Sequence, residues 1–189
     1  NPAQAPLLES WAAHPVPARV ELINSLQQGQ VTVDGQVKTL RLNNRLRGLI
    51  DTALASHQLL ASDPKLRLSA AQQLQKSAKP AQLHFLDRQL AGETDSDVHS
   101  ALSLALANLQ LVDPDPAVRL AAVRLLGETG EPLARTRLEN LLQPGAEADA
   151  GVRTAAETSL VQVKRKLLIG DLLGQAFSGL SLGSILLLA

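Results

Sequence analysis

The chain has 189 residues, 45% of them hydrophobic, which is enough for one modest domain with a real core. It has no Cys, so disulfides and thiolate metal sites are excluded, and 18 basic residues balance 18 acidic ones, which argues against a nucleic-acid scaffold. Aromatics are only 2%, and Leu and Ala dominate, as expected where helices stack closely through small residues.

In chain order, residues 5–28 read as two short helices broken at His14-Pro15. The stretch GQVTVDGQVKTLRL follows. Val31, Val33 and Val37 flank Asp34-Gly35, a hairpin signal. A three-residue loop, 34–36, would pair Val33 with Val37 and keep like residues together, so that register is expected. NNRLRGLIDTALASHQLL then resumes helix, capped by Asn43 or Asn44.

From there a skeleton appears four times. Asp63, Asp95, Asp115 and Asp149 each stand three residues before Leu66, Val98, Val118 and Val152. A basic residue or histidine comes next: Arg67, His99, Arg119 and Arg153. Ala70, Leu102, Ala122 and Ala156 follow four residues after the aliphatic, and Leu74, Leu106, Leu126 and Leu160 four further on. Apolar residues at i, i+4 and i+8 mark one helix face, and the Asp ahead of it is an N-cap. Pro64 and Pro116 suit the first helical position, where no amide is needed. Asp and Arg, four apart, are expected to pair weakly on the surface, so Arg119→Ala should cost less than about 1 kcal/mol.

Second helices are expected at Pro80–Leu90 and Pro132–Leu142. At an offset of 52, Asp63, Pro64, Arg67, Leu68, Ala70, Leu74, Pro80, Leu86 and Leu90 recur as Asp115, Pro116, Arg119, Leu120, Ala122, Leu126, Pro132, Leu138 and Leu142. A repeated helix pair predicts an all-α fold, an α-solenoid resembling HEAT-like repeats, with a small N-terminal β-hairpin. The short interval from Val98 to Val118 means that one unit lacks its second helix or that two helices meet directly.

After Lys164-Arg165-Lys166 the charge almost stops, and Leu172 to Ala189 carries none. Eighteen uncharged residues rich in Gly and Ser predict the start of a transmembrane helix, truncated here. The expected organisation is therefore helices and hairpin over 1–42, helical repeats over 43–166, and the first membrane segment over 167–189. The competing expectation is a free-standing repeat adaptor whose apolar tail docks internally.

The segments NNRLR, LQKSA, DPAVRLAAVRLLGE and GDLLGQAFSGLSLGSILLLA, in this order, resemble the urea-transporter branch of the branched-chain amino acid family of ABC transporter permeases. The resemblance covers Asn43 to Ala189 and, weakly, the part before it. It implies a non-catalytic extension ahead of a permease that moves urea, a related amide or an amino acid across a bacterial inner membrane. It also implies another permease subunit and ATP-binding subunits, met through a membrane domain beyond Ala189. The row Arg67, Arg119 and Arg153 is read separately as a candidate ridge for a partner such as the soluble substrate-binding protein. A secretory signal before the extension is implied too; the start at Asn1 without Met fits a mature end. Lys164, Arg165 and Lys166 argue the other way, toward the cytoplasm. The expectation is the periplasmic side, because long N-terminal domains translocate largely regardless of charge.

No catalytic signature is present. His14, His57, His84 and His99 lack ligand spacing, and there is no nucleophile elbow or phosphate loop. Asp95 and Asp97 resemble a carboxylate pair, but Asp95 fills the capping slot, and Gly127 and Gly130 suit helix ends. No cofactor is expected. The candidate interaction residues are Asn43, Asn44, Arg45 and Arg47, from the start of one helix, and Arg67, Arg119 and Arg153, from one register of the repeat.

Overall fold

A computed structural model describes residues 5–33, 36–39 and 41–188; the side chains of 31–33 and 176–188 are not described. The chain divides into two compact units, Asn1–Leu109 and Gln110–Ala189. Among the described residues the chain is mostly helical.

In the first unit, α1 (Ala5–Ala13) ends before Pro15, and a 3-10 turn (Pro17–Arg19) leads into α2 (Val20–Gln27). Strands β1 (Gln30–Val33) and β2 (Gln36–Thr39) pair antiparallel, followed by α3 (Asn44–Gln58). Leu8, Trp11, Ala12, Ile23, Ile50 and Ala53 form one buried cluster, with Leu42, Leu46 and Leu49 packed against it. Residues before 43 thus share a core with the first long helix. His57, 4% exposed, closes this core: Nδ1 donates to the Ala53 carbonyl at 2.8 Å, and Nε2 accepts the Val16 amide at 3.0 Å. Its ring therefore holds the α1–α2 connection against α3 in a single tautomer.

The strand register corrects the expectation. Val33 pairs with Gln36 and Thr32 with Val37, so two residues separate the strands. Matching like residues across the pair carries little weight here, because every residue of β2 is exposed, Val37 included. The Asp-Gly signal for a two-residue connection then prevails.

The unit continues with α4 (Pro64–Ser77), a 3-10 turn (Pro80–Gln82), α5 (Leu83–Gly92) and α6 (Ser96–Gln110). Buried Gln82 joins the turn to α3, donating to Ser56 Oγ at 2.9 Å and accepting the Lys79 amide at 2.8 Å. Gln75 of α4 donates to the Ala101 carbonyl of α6 at 3.2 Å, and Asn108 of α6 donates to the Gln75 carbonyl at 3.1 Å.

The second unit holds α7 (Pro116–Glu128), α8 (Pro132–Leu141) and α9 (Ala150–Leu188). No helix lies between α6 and α7. The core is Ala122, Val123 and Leu126 of α7, Ala134 and Leu138 of α8, and Val152, Ala156 and Val163 of α9.

All four capping assignments hold. Asp63 accepts the Lys65 amide at 2.9 Å and Asp115 the Ala117 amide at 2.8 Å. Asp95 accepts the amides of Asp97 and Val98 at 3.0 and 3.1 Å, and Asp149 that of Val152 at 2.9 Å. The expected buried stripe holds in α6, where Val98, Leu102 and Leu106 are buried. Elsewhere it slips. Leu66 is 47% exposed, Val118 and Leu160 are half-buried, and Ala71, Val123 and Ser159 are buried instead. A 3.6-residue helix drifts away from a strict i, i+4, i+8 row, so the face that packs is wider than the row and turns off it.

Gly127 lies one residue inside the end of α7 and serves a close approach. A Cβ there would stand 2.7 Å from Ser159 Oγ and 2.9 Å from Ser159 Cβ. Ala normally gains about 1 kcal/mol over Gly in a helix. Here the overlap with Ser159 Cβ, which cannot rotate away, outweighs that gain. Gly127→Ala is expected to destabilise by about 1–3 kcal/mol in chemical denaturation; an unchanged or raised midpoint would refute the close contact.

Candidate functional site

The repeated Asp and Arg positions make a structural device that was only half legible in the sequence. Arg67, in the first turn of α4, points back along its own approach loop. Its Nη1 donates to the carbonyls of Ala61 and Ser62 at 3.0 and 2.8 Å. Its Nε and Nη2 donate to Glu93 at 2.8 and 2.9 Å. Arg119 repeats this in α7. Nη1 reaches the carbonyls of Asp113 and Pro114 at 2.9 and 3.0 Å, and Nε and Nη2 grip Glu147 at 2.7 and 2.8 Å. The planar guanidinium matches a carboxylate bidentately, which makes these charge-assisted bonds strong.

Each glutamate also organises the next helix. Glu93 Oε1 accepts the amides of Thr94 and Asp95 at 3.0 and 2.9 Å, and Asp95 caps α6. Glu147 Oε1 accepts the Asp149 amide at 2.8 Å, and Asp149 caps α9. An Arg on one helix thus holds the Glu that sets the loop that presents the cap of the next. Glu147 is 3% exposed in its side chain, and the Arg119 guanidinium pulls its pKa down to about 2, against the opposing cost of burial. Arg67 holds Glu93 below the usual carboxylate range for the same reason.

The Asp caps are therefore not the main partners of these arginines, contrary to the expectation of weak Asp–Arg pairs. The Glu-X-Asp pattern at 93–95 and 147–149 was the available signal. It recurs at an offset of 54, not 52. The turn after α8, with Gly145 at a left-handed φ of 79°, shifts it out of the fixed-offset match.

Arg67 and Arg119 are thus half-buried and engaged by the fold rather than free on a ridge open to a partner. Arg153 differs: it is exposed and has no carboxylate partner among the described residues. His99, at the same register in α6, is half-buried. Asn43 caps α3 through its side chain, accepting the Leu46 amide at 2.9 Å, while Asn44, Arg45 and Arg47 are exposed beside it. Among the described residues, no group of three or more His, Asp or Glu side chains is placed to hold a metal ion.

The other functional candidate is α9. Its buried stripe is Val152, Ala156, Ser159 and Val163. Lys164 bridges to Glu139 of α8 at 3.2 Å, and Lys166 Nζ donates to the Glu128 carbonyl of α7. Beyond Leu167 the helix continues, but its described side chains are exposed: Leu168 at 59%, Leu172 at 57% and Leu173 at 67%. The apolar tail is not docked internally as far as residue 175. Among the described residues no helix is long and apolar enough to cross a membrane, and most of the expected span, 172–189, lies where side chains are not described. No protein-family model and no curated protein matches the chain.

Proposed function

We propose that this chain is the non-catalytic extension of an ABC transporter permease subunit for urea, a related amide or an amino acid. In this reading the repeated helices form a HEAT-like α-solenoid that serves as a protein-interaction scaffold, and α9 leads from it into the membrane. The observation that carries the reading is α9 itself. One unbroken helix begins at a repeat cap, Asp149, turns its described side chains to solvent after Leu167, and runs into an uncharged Leu-rich stretch with exposed leucines. A self-contained adaptor would fold those leucines onto its last repeat, since exposed apolar side chains lose the stabilisation of burial.

The partners in this reading are another permease subunit, the ATP-binding subunits reached through the membrane domain, and the soluble substrate-binding protein on the periplasmic side. Arg153 and the segment Asn43, Asn44, Arg45 and Arg47 are the exposed members of the candidate surface.

The side of the membrane is tested with a cysteine at Ser96, the exposed first residue of α6. In cells permeable only at the outer membrane, an impermeant maleimide is expected to label it. Labelling only after the inner membrane is broken would put the extension in the cytoplasm and remove the contact with a periplasmic binding protein.

A further inference from the structure

Two different faces of α9 are apolar, and they do not line up. The docked stripe, Val152, Ala156, Ser159 and Val163, continues at i+4 and i+7 steps to Leu167 and Gly170. Leu168 and Leu172 stand four apart on another side, joined by Ile169 and Leu173, also four apart. Arg165 lies three, four and seven residues before Leu168, Ile169 and Leu172, so it opens the same face. All five side chains are exposed. Of the three cations 164–166, Lys164 and Lys166 are engaged with Glu139 and the Glu128 carbonyl, whereas Arg165 has no carboxylate partner among the described residues.

We propose that Arg165, Leu168, Ile169, Leu172 and Leu173 form a collar that contacts lipid, with the bilayer surface crossing α9 at this level. The proposal rests on the reading that α9 approaches a membrane, and it adds where and by which face. The occupant is a bilayer with anionic headgroups. The apolar face runs into the uncharged stretch that begins at Leu172, and the cation at its head complements lipid phosphates. Because α9 is continuous and Lys164 and Lys166 tie it to α8 and α7, no flexible linker separates the α7–α9 unit from this collar. The unit is held close to the bilayer at one orientation.

The test uses the full chain, bound to vesicles of phosphatidylcholine with a minority of phosphatidylglycerol. Nitroxides are placed by cysteine substitution at Leu168, Leu172 and Glu157, an exposed residue well before the collar. The ratio of collisions with oxygen to collisions with an aqueous nickel chelate is expected to be several-fold higher at Leu168 and Leu172 than at Glu157. Arg165→Gln is expected to weaken binding to the anionic vesicles by about five-fold and binding to pure phosphatidylcholine not at all. A water-like ratio at Leu168 and Leu172 on vesicle-bound chain overturns the collar, as does protection from both reagents, which would mark a second copy of the chain as the cover. Unchanged affinity of Arg165→Gln overturns the headgroup contact. A chain that fails to float with vesicles overturns the collar outright. Spanning is read separately from a cysteine at Ala189. Labelling of that cysteine from the domain's own side, with Leu168 and Leu172 in lipid, leaves the collar standing and removes the span.

Discussion

Leu126→Ala is expected to lower the free energy of unfolding by about 2–5 kcal/mol. Leu126 is fully buried, at 0% exposure, between the last turns of α7 and the helices packed on it. Removing its isobutyl group loses the transfer free energy of the deleted carbons. It also leaves a cavity that the neighbours close only in part, because at Gly127, next to it, α7 approaches Ser159 of α9 too closely to leave room even for a Cβ. Val161→Ala is the internal comparison. Val161, on α9, belongs to the same unit but is 67% exposed, so its truncation should stay within about 0.5 kcal/mol. Urea denaturation of the two variants, followed by helical circular dichroism, decides the matter. Equal midpoints would mean that the α7–α9 core is not where the structure puts it.

Arg119→Ala is expected to destabilise clearly more than Arg153→Ala, although both residues occupy the same register of the repeat. Arg153 is exposed and has no carboxylate partner among the described residues, so only a weak effect is expected there. Removing Arg119 strands the buried Glu147 carboxylate and frees the carbonyls of Asp113 and Pro114. The effect should also carry a pH signature. The pKa of Glu147 in the folded protein is depressed to about 2, below its ordinary value of about 4.3. A depressed carboxylate contributes stability that is fully present above its ordinary range and is lost as pH falls through the folded value. The stability gap between the native chain and Arg119→Ala should therefore be widest above about pH 5 and shrink on acidification toward pH 2. A gap that stays constant across that window would show that Arg119 acts without the Glu147 charge, through its carbonyl bonds and the packing of its stem. Glu147→Gln, which keeps the shape and removes the charge, should flatten the same pH dependence.

Much of the helical framework was legible in the residues themselves. Asp63, Asp95, Asp115 and Asp149 cap helices, and Pro64, Pro116 and Pro132 open them, because capping and the missing proline amide are local effects within one turn. The break at His14-Pro15 and the second helices after Pro80 and Pro132 follow from the same short-range chemistry. The strand register did not, because no buried face enforces one pairing of β2.

What only the tertiary structure decided is where charged and buried side chains find partners far along the chain. Arg67 meets Glu93 across 26 residues and Arg119 meets Glu147 across 28, and a fixed repeat offset hides both partners because the loops differ in length. His57 reaches Val16 across 41 residues, with nothing local to announce it. The same limit governs α9. Its sequence shows a loss of charge after Lys166, but which of its apolar faces docks and which stays open depends on how the helix rotates against α7 and α8. That rotation is set by Val152, Ala156 and Val163 packing into those neighbours, a balance of many contacts rather than of any one residue's preference.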